Sequence, residues 1–331
     1  MKILIAYDGS KDADAAIDDL RSCGLPATGS AELISVAEVW LPPPESLAEV
    51  SDGDASEYVE QILAESRHRG ERAVAEAEML TKFAAGRVKA ALPDWDVTSI
   101  ATYGSPGWEI VKEADKFQAD LVIVGAQGHS LLSRFVLGSI SQRVITEAAC
   151  SVRVARGRID LDSGAQRIIV GFDGSRGAHA AVDAVADRNW NDGTTVRLIA
   201  VSESMVPTTI GRFVLPLNST VNEINVAERA WVETAAEAAI KKLTECGLDA
   251  SFRISPGNPK HVLTDEAQTW AADSIFVGAN AWGSRIERFL IGSTSAAVAA
   301  RAHCSVEVVR AKLSTQPLPV ISGSDHTSSK R

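Results

Sequence analysis

The sequence predicts two consecutive α/β domains, each a doubly wound parallel β-sheet with helices on both faces. Three observations support this fold class. The 331-residue chain repeats its own motifs in the same order. Within each repeat, short apolar runs alternate with longer amphipathic stretches, which is typical of strand–helix alternation. Most of these runs are apolar throughout rather than at every second residue, as expected of parallel strands covered on both faces.

The repeat is visible in six ordered segment pairs. A 21-residue interval separates Gly104 from Gly125 and again separates Gly257 from Gly278. Six ordered matches indicate a duplication. The pairs are KILIAYDGS and RIIVGFDGS (2–10, 167–175), LISVAE and LIAVSE (33–38, 198–203), GSP and GNP (104–106, 257–259), ADLVIVGAQ and ADSIFVGAN (119–127, 272–280), RFVLGSIS and RFLIGSTS (134–141, 288–295), and CSVRVAR and CSVEVVR (150–156, 304–310).

The repeats predict the domain organisation. We expect a first domain at 1–156, a short polar linker at 157–165 and a second domain at 166–310. The segment 311–331 is rich in Ser, Thr, Pro and Gly and has few large apolar residues, so we expect it to be disordered.

The elements of the first repeat follow from the apolar pattern. The predicted strands are Ile3–Tyr7, Glu32–Val39, Val97–Thr102, Leu121–Val124 and Val152–Ala155. The predicted helices are Ser10–Ser22, Ala55–Ala91, Pro106–Gln118 and Ser139–Ala149. Leu41–Asp54 and Ser204–Asn222 follow the second strand of each repeat and contain Pro, Ser or Asn, so we expect loops there.

Composition excludes some classes of partner. With 33 Lys and Arg against 43 Asp and Glu, the net charge is −10, which speaks against bulk binding to nucleic acid or to an anionic membrane but leaves a local basic patch open. The longest apolar runs are far shorter than the ~20 residues of a membrane-spanning helix. The apolar run at the N-terminus is also shorter than that of a signal peptide.

The cysteine pattern indicates a reducing compartment. The chain has four cysteines, no two of which form a CxxC pair, so we expect neither a disulfide framework nor a zinc site. We expect buried, reduced thiols and a cytoplasmic protein. The four are Cys23, Cys150, Cys246 and Cys304.

A glycine-rich segment follows the fourth predicted strand. Gly125 ends that strand, where a tight turn or a close backbone approach requires the absence of a side chain, and Gly128 follows. Gly138 and Ser139 open the next helix, whose first N–H groups and partial positive charge favour an anion. This combination suits a polyphosphate, although it is neither a Walker P-loop nor a GxGxxG fingerprint.

Asp8 directly follows the first predicted strand. Ligands of open parallel sheets bind outside the carboxyl ends of the strands, where the strand order reverses. If the first and fourth strands are neighbours there, Asp8 and the glycine-rich segment face one crevice. Because a carboxylate repels phosphate, we expect Asp8 at the base or ribose end of a nucleotide. Val36, at the end of the second strand, would form an apolar wall nearby.

Each of these features also has a purely structural interpretation. Asp8 or Ser10 could cap the following helix, and Gly138 could simply be a helix N-cap. His129 fits a loop residue near phosphate better than a catalytic base, and Arg134 could reach phosphate or pack against its neighbours. Only their joint occurrence at corresponding strand ends favours a nucleotide site.

The chain resembles the universal stress protein family in its tandem-domain form. The pattern Gly125-x2-Gly128-x9-Gly138-Ser139 is similar to the ATP-binding loop of that family's nucleotide-binding branch. The resemblance spans about 1–310. Supporting motifs are DGS at 8–10, VAE at 36–38, Gly104-x-Pro106 and the closing strand Ser151–Arg156.

Because a bound triphosphate is usually accompanied by Mg²⁺, we expect this ion together with ATP. The resemblance itself implies a five-stranded sheet of order 3-2-1-4-5 in each domain, with ATP held at the carboxyl edge. It further implies that the repeats pair through their last strands and that two chains form a homodimer. The nucleotide-binding residues that it implies are Asp8, Val36, Gly125, Gln127, Gly128, Gly138, Ser139 and Ile140 in the first domain, and Asp173, Val201, Gly278, Gly292 and Ser293 in the second.

The second repeat departs from the family pattern. Gly292 follows Gly278 by 14 residues, whereas Gly138 follows Gly125 by 13. Ala281 stands where the first repeat has Gly128, unless the loop realigns on a later glycine. We therefore expect the first repeat to be the better nucleotide site.

The leading functional hypothesis is an ATP-binding regulator or sensor of a stress response that acts on an unidentified protein partner. No HExxH, GxSxG, Walker lysine or paired-carboxylate motif is present, so no catalytic residue is assigned. One alternative is a slow ATPase or nucleotide-transfer enzyme in which Asp8 or His129 activates water. The other is a nucleotide-free interaction scaffold in which the glycines serve only turns.

Overall fold

The computed structural model describes residues 1–39, 55–127, 137–157, 164–202, 215–279 and 291–311. The strands of these ranges are β1 (Lys2–Ala6), β2 (Ser30–Ala37), β3 (Asp96–Tyr103), β4 (Leu121–Gly125), β5 (Ser151–Ala155), β6 (Arg167–Gly171), β7 (Thr195–Ser202), β8 (Asp249–Pro256), β9 (Ser274–Gly278) and β10 (Ser305–Val309). The helices are α1 (Lys11–Asp18), α2 (Ala55–Ala91), α3 (Pro106–Phe117), α4 (Ser139–Glu147), α5 (Arg176–Ala186), α6 (Leu215–Glu245), α7 (Pro259–Thr269) and α8 (Ser293–Arg301).

All of these strands form one continuous sheet in the order β3-β2-β1-β4-β5-β10-β9-β6-β7-β8. The first half of the chain contributes β1–β5 and the second half β6–β10, and the strands are parallel within each half. At the centre, β5 and β10 pair antiparallel. The predicted α/β fold and the order 3-2-1-4-5 are therefore confirmed in both halves, and the two halves meet through their last strands.

Two predicted elements differ from the structure by more than two residues at an end. The helix expected at Ser10–Ser22 ends at Asp18 and tightens into a 3₁₀ turn at Asp19–Ser22, because the Asp19 side chain turns inward to a buried arginine. The loop expected at Ser204–Asn222 is helical from Leu215 onward. Proline is tolerated in a first helical turn, so Pro216 does not prevent this start. Leu41–Asp54 and the predicted tail from 312 lie outside the described residues.

The two longest helices cover the sheet with residues of their C-terminal halves. Helix α2 has 37 residues and α6 has 31, and charged residues recur along both. The packed residues include Ala84 and Val88 of α2 and Ala236 and Leu243 of α6, which contact the sheet and the preceding short helix. Within the described ranges, no helix combines the length and the apolar character needed to cross a bilayer.

The helices form two layers with different cores. On one face of the sheet, α3, α4, α7 and α8 cover a single apolar core that runs through both halves and includes Ile110, Val144, Leu263 and Val298. On the other face, α1 and α2 cover a core confined to the first half, and α5 and α6 cover a core confined to the second. A polar region lies between these two cores.

That region is a charged cluster of Asp19, Arg153, Arg188 and Glu307, which we call the central cluster. Arg153 on β5 lies directly opposite Glu307 on β10, and both side chains are at most 1% exposed. Arg153 donates from Nε to Oδ2 of Asp19 at 2.6 Å. Arg188 donates from Nη2 to Oε1 of Glu307 at 2.5 Å. Two buried cations thus face two buried carboxylates.

The cluster joins the two halves. Ser305 donates its hydroxyl to Oδ1 of Asp19 at 2.9 Å, and Arg188 donates from Nη1 to the carbonyl of Cys23 at 2.9 Å. Burial alone would lower the pKa of the Arg153 guanidinium, but the adjacent carboxylates, Asp19 foremost, outweigh burial and raise it. Arg153 is therefore charged at every physiological pH.

The cysteine expectation holds in part. All four thiols are free, and Cys23 and Cys304 are buried. Burial raises the pKa of the Cys304 thiol to about 12 and that of Cys150 to about 11. Cys246 is exposed, which contradicts the expectation of buried thiols, because it lies at the solvent-facing end of α6.

Glu307→Gln tests the central cluster. Removing one charge of a buried ion pair leaves its partners uncompensated, so we expect a loss of about 3–5 kcal/mol in the free energy of unfolding. The matched control is Glu233→Gln, which removes the carboxylate of an exposed pair with Arg229 at 2.9 Å. We expect the control to lose less than about 1 kcal/mol. Urea denaturation measures both, and equal losses would contradict the role given to the cluster.

Thiol reactivity tests the cysteine environments. A thiol-reactive disulfide reagent should modify Cys246 rapidly in the folded chain, because it is exposed, and Cys23 and Cys304 only after unfolding. Cys246→Ser should remove the rapid phase in a stopped-flow trace. Cys150 is partly buried, so a slower reaction of the folded chain is assigned to it. A rapid phase of unchanged amplitude after Cys246→Ser would contradict the assignment.

Candidate functional site

The strand order reverses at β1 in the first half. Strand β1 lies between β2 and β4. This confirms the prediction that the first and fourth strands are adjacent. The chain leaves β1 for α1 on one face and leaves β4 for α4 on the other. Ligands of such sheets bind at the carboxyl edge between two segments that diverge in this way, and we call this place the crevice. Strand β6 has the same position between β7 and β9.

The turn after β1 is built by Asp8 and Ser10. Oδ1 of Asp8 accepts from the Ser10 N–H at 2.9 Å, and the Ser10 hydroxyl accepts from the Ala13 N–H at 3.2 Å as the N-cap of α1. Gly9 has φ of 76°, a conformation that favours glycine. The structural interpretation of Ser10 as a cap is therefore confirmed, and the same turn holds the half-buried Asp8 at the carboxyl edge.

The second half repeats this turn. Oδ1 of Asp173 accepts from Ser175 N–H at 2.9 Å, and Ser175 caps α5 through the Ala178 N–H at 3.2 Å. The two aspartates differ in exposure, since Asp173 is exposed and Asp8 is half-buried.

Val36, near the end of β2, lies beside Asp8 at the carboxyl edge. Ala6 pairs with Ile34, so Asp8 and Val36 lie two residues further along adjacent parallel strands. Val36 is partly buried and packs on the shared apolar core, which gives the edge an apolar wall. Val201 has the corresponding position beside Asp173, and it also packs on this core.

Gly125 allows a close backbone approach. A Cβ at this position would lie 2.7 Å from the backbone carbonyl of Asp12, in the first turn of α1. At Gly278 the corresponding Cβ would lie 2.4 Å from the backbone of Gly177 in α5. The absence of a side chain at both strand ends therefore serves helix packing, one of the two roles that the sequence predicted for Gly125.

Helix α4 begins at the other side of the crevice. Gly138 is its N-cap and makes no side-chain capping bond, and its N–H donates to the carbonyl of Ala126 at 2.9 Å. Ser139 is exposed and Ile140 is half-buried at the first turn. The first N–H groups of a helix have no partner within the helix. They form the anion-favouring end that the sequence predicted, placed next to β4.

Helix α8 begins in the same way. Gly292 is its N-cap without a side-chain capping bond, its N–H donates to the carbonyl of Ala279 at 2.7 Å, and Ser293 is exposed. The structure thus places Gly278, Gly292 and Ser293 as it places their counterparts in the first half.

Some predicted residues lie beyond the described ranges. Gln127 is described and half-buried at the end of β4. Gly128, His129 and Arg134 lie outside the described residues. So does Ala281, on which the expected difference between the two loops rests.

Ser141 positions α4, and sequence reasoning did not identify it. Its buried hydroxyl donates to the carbonyl of Gly125 at 2.7 Å and ties the first turn of the helix to the end of β4. Ser295 does the same in the second half, donating to the carbonyl of Gly278 at 2.6 Å. The signal was present in the repeat, because GSIS and GSTS share this serine two residues after the Gly-Ser pair.

Asp12 is a second acidic residue near the edge. Desolvation by burial and the nearby Asp8 carboxylate raise its pKa, and Arg156 lowers it. Gly177 has the corresponding place in the second half, since each of the two abuts the glycine that ends the fourth strand. Among the described residues, no three His, Cys, Asp or Glu side chains gather closely enough to hold a metal ion.

Comparison with known proteins matches both halves to one family. The model of the universal stress protein family covers residues 1–156 and 164–310. A universal stress protein of Mycobacterium tuberculosis H37Rv is 24% identical, with 93% of this chain and 96% of the relative aligned. The crystal structure of a universal stress protein from Archaeoglobus fulgidus is similar over 93% of this chain and 96% of its own, at 21% identity and a TM-score of 0.56.

A further solved structure is 17% identical to this chain, with a TM-score of 0.32. The alignment covers 44% of this chain and 92% of that structure's chain. It is a universal stress protein family protein from Arabidopsis thaliana with AMP bound.

Gly125→Ala tests the packing at the site. A methyl group would meet the Asp12 backbone at 2.7 Å, so we expect a loss of about 1–3 kcal/mol in the free energy of unfolding. Gly86→Ala is the matched control, because nothing lies within 4 Å of its Cβ position in α2. The free energy of unfolding of the control should rise by about 0.5–1 kcal/mol, because alanine has a higher helix propensity than glycine. If both variants unfold at the same urea concentration, the close approach of α1 to β4 is refuted.

Proposed function

The chain belongs to the universal stress protein family, and on that premise we propose that it binds an adenine nucleotide, ATP, at the carboxyl edge of its first half and acts as a nucleotide-dependent regulator. We further propose the domain limits 1–156 and 166–310 and a cytoplasmic location. Within this proposal the first half is the principal nucleotide site.

The observation that carries the proposal is the N-terminus of α4 across the crevice from Asp8. The N–H groups of Ser139 and Ile140 begin a helix that has no capping side chain at Gly138. Such an end attracts phosphate through its free donors and its partial positive charge. The exposed Ser139 hydroxyl adds a donor or a ligand for Mg²⁺ on the phosphates.

The other end of the crevice suits a base or a ribose. Asp8 accepts hydrogen bonds and repels phosphate, so it orients a nucleotide with its phosphates toward α4. Val36 provides apolar surface beside Asp8 for a planar ring. An acceptor at one end and N–H donors at the other match the polarity of an adenylate, so the described residues fit the group.

The two halves differ around the same framework. Where the first half places Leu80 against Gly9, the second places the half-exposed ring of Trp231 against Gly174. Asp173 is more exposed than Asp8, and the second glycine-rich segment is one residue longer. These differences support assigning the tighter site to the first half.

Regulation would follow from differential binding. ATP stabilises the conformation that binds it more tightly, and the population of that conformation sets the surface presented to a partner protein. Because β5 and β10 already pair with each other, a homodimer of this chain would use another surface.

Calorimetry with Mg²⁺ and ATP on the full chain tests the proposal. We expect one tight ATP site per chain. Gly138→Val should abolish the heat of ATP binding, because the valine side chain would occupy the space proposed for the phosphates. Gly138 has φ of −61°, which valine adopts, so the fold should persist. Gly292→Val, at φ of −62°, is the matched control in the second half and should leave the tight site unchanged.

Three outcomes would contradict this account. An absence of heat with the unaltered chain would refute ATP binding. Unchanged affinity in the folded Gly138→Val variant would refute the phosphate assignment. Two equally tight sites per chain would refute the preference for the first half.

A further inference from the structure

Two arginines each hydrogen-bond to the carboxyl end of a helix in the opposite half of the chain. Arg310, directly after β10, donates from Nη2 to the carbonyls of Ile145 and Thr146 in the last turn of α4, at 2.6 Å and 3.2 Å. Arg156, directly after β5, donates from Nη2 to the last-turn carbonyls of α8 at 2.6 Å and 3.2 Å; these belong to Ala299 and Ala300. Each half thus closes the end of a helix in the other.

The backbone of each arginine is also anchored across the interface. The N–H of Arg310 donates to the Ser151 hydroxyl at 3.1 Å, and the N–H of Arg156 donates to the Ser305 hydroxyl at 3.0 Å. The serines are the first residues of β5 and β10. The pairing of these strands therefore determines where the two guanidinium groups lie.

A guanidinium suits the carboxyl end of a helix. The last carbonyls have no donor within the helix, and the partial negative charge there attracts a cation. Burial lowers the pKa of Arg310, and it lowers that of Arg156 to about 10, so Arg156 remains charged at neutral pH.

Helix α4 is short enough for its two ends to move together. Its nine residues span about 14 Å, at about 1.5 Å per residue. Ser141 ties its first turn to Gly125 within the first half, and Arg310 ties its last turn to the second half. The N-terminus that begins at Gly138 is therefore positioned from both halves.

We propose that Arg310 of the second half is a positioning residue for the nucleotide site of the first half. By holding the last turn of α4, it fixes the direction in which the N–H groups of Ser139 and Ile140 face the crevice. Arg156 has the reciprocal role for α8. The orientation of each of these two helices is therefore fixed by an arginine of the opposite half. The affinity part of this inference rests on the proposed function, whereas the positioning of α4 does not.

Arg310→Gln in the full chain tests the inference, with Arg143→Gln as the matched control. Arg143 lies on α4 itself, where its guanidinium stacks on the Trp108 ring at 5.0 Å within the first half. We expect Arg310→Gln to weaken ATP binding in calorimetry by about tenfold, a usual size for coupling between sites. The control should bind ATP as the unaltered chain does.

Hydrogen–deuterium exchange without nucleotide separates positioning from general destabilisation. Arg310→Gln should accelerate exchange of the α4 amides and leave α8 protected. Arg156→Gln should do the opposite, accelerating exchange in α8 and leaving α4 protected. A merely structural loss would accelerate both helices in both variants, and that outcome would overturn the proposal.

The two readouts distinguish the possible failures. If the unaltered chain binds no ATP but the crossed exchange pattern appears, the proposed function fails and the positioning of α4 stands. If the unaltered chain binds ATP and the folded Arg310→Gln variant binds it equally well, Arg310 does not set the site. Unchanged exchange of α4 in Arg310→Gln would also overturn the inference.

Discussion

The antiparallel contact between β5 and β10 is the constraint on which the rest of the structure depends. Arg153 and Glu307 have equivalent positions in the two repeats and lie opposite each other at the centre of this contact. Pairing either half with its own copy in the same register would bury Arg153 against Arg153, or Glu307 against Glu307. Each charge would keep the partner from its own half, Asp19 or Arg188, but two like charges placed against each other in a buried site repel. The charge pattern therefore favours pairing of the first half with the second over pairing of like with like.

Several features follow from this contact. It merges the apolar layer under α3, α4, α7 and α8 into one core shared by both halves. It also brings Arg156 and Arg310 to the last turns of α8 and α4, the two helices that begin at the carboxyl edge of the sheet. The duplicated halves are thus similar in fold and unequal in detail, since Asp12 abuts the fourth strand in the first half and Gly177 in the second. An unequal pair allows one half to bind a ligand while the other supports it.

The sequence predicted what local pattern and repetition determine. Uninterrupted apolar runs located the buried strands, and the motifs DGS and GS placed Asp8 after β1 and Gly138 before α4. Contacts between residues far apart in the chain could not be predicted, because they produce no pattern in the local sequence. The cap that Arg310 places on α4 joins residues more than 160 positions apart, and the inward turn of Asp19 depends on a buried arginine of β5. The start of α6 at Leu215 was missed because its first turns carry residues typical of loops.

The most direct test of the central claim is an amide chemical-shift map of the isotope-labelled full chain, recorded with and without Mg²⁺ and ATP. The account predicts the largest changes at the amides of Ser139 and Ile140 and at the turn that holds Asp8, because these groups face the nucleotide. Smaller changes should extend along α4 toward its last turn. A map whose changes avoid residues 137–142 altogether would contradict the account, wherever else on the chain ATP was found to bind.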